Sequence, residues 1–133
     1  MIDQGQDAAL VLVVDDVCEI VEELVVLLGL AEMPAVGAHS LATAIDALEA
    51  APTIGVVVCD VRLHRESGLE IIERVAAHAR LAHRALHYIF MTGDPMRSDA
   101  IAPLHCRLLT KPVRPSDLIQ LVQSLLGRAG RGG

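Results

Sequence analysis

The stretch Val56 to Gly68, VVVCDVRLHRESG, restricts what this chain can fold into more than any other. Its apolar run from Val56 to Cys59 shows no polar alternation, and such a run reads as a strand covered on both faces, as in the middle of a parallel sheet. The run ends abruptly in a carboxylate, Asp60, followed by a short polar loop and a helix start. In an open α/β sheet, ligands bind beyond the carboxyl ends of the strands, so position alone makes Asp60 a candidate functional residue. A lone acid at a strand end is more often a turn residue. The other strand ends decide between these readings.

A chain of 133 residues is one domain, long enough to bury roughly two thirds of its unfolded surface without staples. The 17 acidic residues outnumber the 11 basic ones, giving a net charge of -6, which argues against direct nucleic-acid binding or an anionic membrane surface. Lys111 is the single lysine. Cys18, Cys59 and Cys106 make an odd number without CxxC spacing, so neither a disulfide framework nor a zinc site is indicated, and a reducing cytoplasm is the expected compartment. No signal peptide or transmembrane span is evident.

Residues 1–7 read as a polar leader, 8–127 as the folded domain and 128–133 as a tail. Ala8 to Val14 is a second unbroken apolar run, ending in Asp15 and Asp16. Asp16 with Glu19 resembles a capping box for a helix that presents Ile20, Leu24, Leu27 and Leu28, and the segment Gly29 to Pro34 ends it. A short strand over 35–39 precedes a helix capped by Ser40, with Leu41, Ile45 and Leu48 inward and Pro52 as its limit. After the Asp60 strand, Ser67 and Glu70 form an S-x-x-E cap for a helix carrying Leu69, Ile72 and Val75 to about Leu81. Leu86 to Met91 is a fourth strand, ending at Thr92. Asp94-Pro95 can start only a short helix before Pro103. Arg107 to Thr110 is a fifth strand, ending at Lys111, and a last helix runs from about Pro115 to Gly127 with Leu118, Leu121, Val122 and Leu125 on one face.

Five β-α units in succession predict an α/β fold, a doubly wound five-stranded parallel sheet with helices on both faces. Asp15, Asp16, Asp60, Thr92 and Lys111 then converge along one sheet edge. Three crowded carboxylates repel one another unless a divalent cation and an ammonium balance them. Mg²⁺ takes one or two carboxylates with phosphate oxygens, and a carboxylate can attack phosphorus, so the set suits phosphoryl transfer.

From about Leu10 to Leu126 the chain resembles the receiver domains of bacterial two-component response regulators. The resemblance rests on the acidic pair Asp15-Asp16, the acceptor stretch D-V-R-L-x-x-x-S-G from Asp60 to Gly68, M-T-G at Thr92, and K-P at Lys111-Pro112. It implies a flavodoxin-like fold with strand order 2-1-3-4-5 and a cis Lys111-Pro112 bond. Asp60 would accept a phosphoryl group from a sensor histidine kinase or a histidine phosphotransfer protein. Asp16, Asp60 and the backbone carbonyl of Arg62 would bind Mg²⁺ with help from Asp15, while Thr92 and Lys111 sense the phosphoryl group. Arg62 and Asp94 would flank the mouth and modulate dephosphorylation. Such a domain is a signalling module whose only chemistry is its own phosphorylation and dephosphorylation, acting on a downstream protein or as a homodimer.

Three departures accompany the match. His64 stands where a proline is usual, which loosens a tight loop; the Thr92 to Lys111 segment is shorter than usual; and Leu108 replaces the customary aromatic residue behind the switch threonine. The short, proline-bounded segment 94–104 is expected to be mobile and to become ordered on phosphorylation or docking. Two other functional classes are a pseudo-receiver that only docks partners, whose mark is a missing acid, Asp or Lys, and a Mg²⁺-dependent phosphatase, which needs a D-x-D absent here. A dinucleotide site fails too, because no G-x-G-x-x-G follows the first strand.

Overall fold

Every residue of β1 (Val11–Val14) is buried, as an uninterrupted apolar run requires when both sheet faces are covered. The computed structural model describes residues 8–94 and 106–127. After β1 come α1 (Cys18–Leu30), β2 (Ala35–Ala38), α2 (Leu41–Ala50) and β3 (Val56–Asp60). The two-residue strands β4 (Arg62–Leu63) and β5 (Glu66–Ser67) precede α3 (Glu70–Ala77), β6 (His87–Thr92), β7 (Arg107–Thr110) and α4 (Pro115–Leu125). Five parallel strands are arranged β2-β1-β3-β6-β7, the expected 2-1-3-4-5 order once the two short strands are set aside. The reversal between β1 and β3 is the switch point at which such sheets form ligand crevices.

Alternation along the strands divides the core into two layers. Val11, Val13, Val56 and Val58 meet Leu24 and Leu28 of α1 and Leu118 of α4 on one face. Leu12, Val57 and Phe90 meet Leu41 and Leu48 of α2 and Ile71 of α3 on the other. Full burial of each such side chain contributes about 1.5–3 kcal/mol, so the sheet is held from both sides.

The structure corrects several local expectations. The Asp16-Glu19 capping box does not form: α1 has Val17 at its N-cap with no side-chain bond. Asp15 instead accepts the Val17 N–H at 2.9 Å, and the Asp16 carboxylate is taken by His64. Ser67 does not cap α3, because its backbone is paired with Arg62 in the β4–β5 hairpin; its Oγ accepts only the Leu69 N–H, at 3.3 Å. With the start displaced, Ile71 and Val75 are the buried residues of α3, Leu69 and Ile72 are partly buried, and the helix stops at Ala77 rather than near Leu81. His78 leaves the helix with extended backbone, its ring accepting the Arg80 N–H at 3.0 Å and meeting Glu49 at 3.1 Å. The Ser40 cap is present, with Thr43 answering it reciprocally.

Two boundaries shift slightly: β2 ends at Ala38 and β6 runs from His87 to Thr92. The leader 1–7, the tail 128–133 and the segment after Asp94 up to residue 105 lie outside the described residues, so four helices rather than five are counted among those described.

Candidate functional site

Each of the polar residues at the strand ends reaches the same edge of the sheet. Asp15 follows β1 directly; its N–H bonds to the Ala38 carbonyl at 3.1 Å, which extends the β1–β2 ladder and leaves the side chain fully buried. One carboxylate oxygen, Oδ1, accepts the Val17 N–H, while Oδ2 is buried with no hydrogen-bond partner. The Asp15 carboxyl is pushed up to about 6, chiefly by burial, with the negative charge of Asp60 adding to the rise and the Val17 N–H opposing it.

Asp16 points outward and accepts the peptide N–H of His64 on Oδ2 at 2.8 Å. Asp60 closes β3 and is only 7 % exposed. Its Oδ1 accepts the Arg62 N–H at 3.2 Å, and its Oδ2 accepts a hydrogen bond from Lys111 Nζ at 2.8 Å. Oxygens from Asp15, Asp16 and Asp60 all lie within 4.8 Å of one another. Two unit charges about 5 Å apart repel by roughly 3 kcal/mol at an effective dielectric near 20, so one ammonium does not balance three carboxylates. An oxygen-rich cluster with a buried, unpartnered oxygen is chemically suited to a hard divalent cation.

Thr92 ends β6 with its side chain buried, and its hydroxyl oxygen accepts the Asp94 N–H at 3.0 Å. Its carbonyl accepts the Lys111 N–H at 2.7 Å, which sets the lysine at the end of β7 beside Asp60; the following Lys111-Pro112 bond is cis. Arg62, His64, Asp94, Asp16, Thr92 and Lys111 line a solvent-open cavity of about 540 Å³ with Asp60 at its wall. That space admits a tetrahedral anion next to an ammonium and a hydroxyl. Leu108 is not in the cavity wall: it is half-buried behind β6, against the core layer that holds Phe90. Cys59, next to Asp60 in sequence, faces the opposite way, and burial followed by the charges of Asp60 and Asp15 drives its thiol far up, so it stays protonated.

The loop after Asp60 is not loosened by the missing proline. It forms the β4–β5 hairpin, with Arg62 opposite Ser67 and Leu63 opposite Glu66. His64 turns the chain at φ 31°, a value closed to proline's ring, and offers an N–H that proline lacks. Glu66 then binds outward, its Oε1 accepting the Leu41 N–H at 3.2 Å at the start of α2 and its Oε2 lying 3.6 Å from Arg74. Gly68 brings the chain back over β3 so closely that a Cβ there would sit 1.9 Å from the Asp60 carbonyl oxygen. Sequence reasoning missed the part played here by the His64 peptide; the available signal was the free N–H that comes with any residue other than proline.

Comparison with known proteins agrees with this architecture. The family model described as the response regulator receiver domain matches residues 11–123. The two-component response regulator PprB of Pseudomonas aeruginosa is 30% identical over 124 residues, covering 89% of this chain and 44% of that protein, so the chain spans less than half the length of this curated relative. A response regulator receiver protein from Pseudomonas putida superposes with a TM-score of 0.75 at 34% identity, covering 87% of this chain and 96% of that one. A receiver protein from Burkholderia phymatum gives a TM-score of 0.73 at 29% identity over 92% of this chain and 98% of its own.

Proposed function

The chain belongs to the response regulator receiver domain family, and from that premise we propose that it accepts a phosphoryl group on Asp60 from a phosphohistidine and signals through the change that follows. The observation that carries this reading is the pairing of Asp60 with Lys111 at 2.8 Å inside a cluster of three carboxylates, one of which keeps a buried oxygen without a partner. Asp15, Asp16, Asp60 and the Arg62 carbonyl would hold Mg²⁺. When bound, that ion supplies positive charge against the phosphoryl oxygens.

In the transfer, an Asp60 oxygen forms a bond to phosphorus as the bond from phosphorus to the donor imidazole nitrogen breaks, the electron pair returning to the ring. Lys111 then exchanges a carboxylate partner for phosphoryl oxygens, keeping charge on charge. The Thr92 hydroxyl, engaged by the Asp94 N–H, would leave that bond to meet the same group. Arg62 and Asp94 stand at the mouth, where they modulate the approach of attacking water. Leu108 has less area than an aromatic ring to fill the space vacated behind Thr92, which weakens the bias toward the active state.

The donor is a sensor histidine kinase or a histidine phosphotransfer protein in the cytoplasm, and the output passes to a downstream protein or through a homodimer. No helix among the described residues is long and apolar enough to cross a membrane. Intact-mass measurement after incubation with acetyl phosphate tests the reading. One added phosphoryl group is expected with Mg²⁺, and none with chelator or in Asp60→Asn. Equal labelling with chelator would overturn the cation's part in it, and labelling of Asp60→Asn would overturn the acceptor.

A further inference from the structure

We propose that the peptide N–H of His64 is a positioning group for the cation-binding acids, orienting Asp16 so that one carboxylate oxygen is held by the protein and the other is presented to the ion. This inference rests on the reading that Asp15, Asp16 and Asp60 bind a divalent cation. It concerns a contact that depends on what this chain carries at position 64 and on the hairpin built there.

Three observations support it. Asp15 and Asp16 are treated alike: in each, a single oxygen accepts a backbone N–H, from Val17 at 2.9 Å and from His64 at 2.8 Å. The donor is rigidly presented, because His64 sits at the turn of β4–β5 with φ 31° and the hairpin is anchored on its far strand by Glu66, whose carboxylate accepts the Leu41 N–H. Asp16 is only partly buried, and this bond is the backbone contact that fixes the orientation of its carboxylate. An outer hydrogen bond that fixes a ligand's orientation ordinarily changes metal affinity by about 10- to 100-fold when removed. The histidine ring is not needed for this role; the backbone is.

The experiment compares Mg²⁺ titrations, followed by calorimetry, of the wild-type chain, of His64→Ala, and of a chain whose residue 64 is the α-hydroxy analogue of histidine, so that an ester oxygen replaces the N–H. His64→Ala keeps the donor and is expected to bind within about twofold of wild type, whereas the ester is expected to bind about tenfold more weakly. A bond that merely held the fold would lower the unfolding midpoint of the metal-free ester chain while leaving the Mg²⁺ dissociation constant of the folded protein alone. That result, or an equal loss in His64→Ala, would overturn the proposal. Hydrogen exchange of the His64 amide in wild type gives an independent reading. Protection both with and without Mg²⁺ is expected, and loss of protection on adding Mg²⁺ would overturn it, because Asp16 would then have left the amide to reach the ion. Absence of saturable Mg²⁺ binding by the wild-type chain would overturn the cation reading itself, a different result from equal affinities in wild type and ester.

Discussion

Asp15 is the residue at which burial and charge conflict most openly. Its carboxyl is pushed up to about 6, chiefly by burial, from a usual value near 4, so between those values the folded chain binds more protons than the unfolded one. Stability contributed by that proton is present in full below pH ~4 and is lost as the pH rises through ~6. Asp15→Asn keeps an oxygen for the Val17 N–H and carries no charge. Without divalent ions it should therefore be more stable than wild type by roughly 1–3 kcal/mol at pH 7.5, with the gain vanishing near pH 4. Urea unfolding at the two pH values with chelator present checks this; no gain at pH 7.5 would mean that the carboxylate is already balanced within the protein. Added Mg²⁺ should shrink the difference, since an ion stabilises the chain that keeps all three acids more than the one that lacks Asp15.

Between elements, helix and sheet edge approach closely at Gly37 in β2, where a Cβ would lie 2.2 Å from Cγ1 of Val21 on α1. Val21 is buried and β-branched, so its rotamer cannot yield easily, and Gly37→Ala should cost about 1–3 kcal/mol in urea unfolding. Val21→Ala should absorb most of that penalty, so that the double variant is markedly more stable than additivity predicts. Strictly additive losses would show that α1 shifts as a body rather than clashing at one side chain.

The same elements show what the sequence made legible. Strands β1 and β3 and helix α4 were readable because continuous apolar runs, Pro115 at a helix start and Gly127 just past its end are local signals. The caps of α1 and α3 were not, because Asp16 and Ser67 are claimed by partners in the hairpin, which only the tertiary fold supplies. The hairpin itself has two residues per strand and turns through a histidine at positive φ, which no turn dipeptide announces.

At the scale of the whole molecule, the site was legible because the fold class fixes where strand ends go. Asp16, Asp60, Thr92 and Lys111 meet from four separate strands once the sheet is parallel. Lys111→Ala should leave Mg²⁺ binding at least as strong as in wild type, because removing a positive charge beside Asp60 cannot repel the ion. Metal-free stability should fall by about 1–3 kcal/mol, since Asp60 loses its ammonium while two other acids stay close. Thermal unfolding with and without Mg²⁺ reads both effects; a weaker Mg²⁺ affinity would sink this division of roles. On the proposed function, phosphorylation of wild type should change amide exchange and phosphorylation of the variant should not, because Lys111 would be the group that follows the phosphoryl oxygens.

The Asp60–Lys111 pair spans 51 positions of sequence. A ribosome delivers β1, its neighbour β2 and then β3 first, so any partial sheet of those three strands would gather Asp15, Asp16 and Asp60 at one edge with no lysine to set against them. The last strand therefore brings more than apolar area. In the finished sheet Lys111 offsets part of the repulsion among those acids, which ties completion of the sheet to completion of the site.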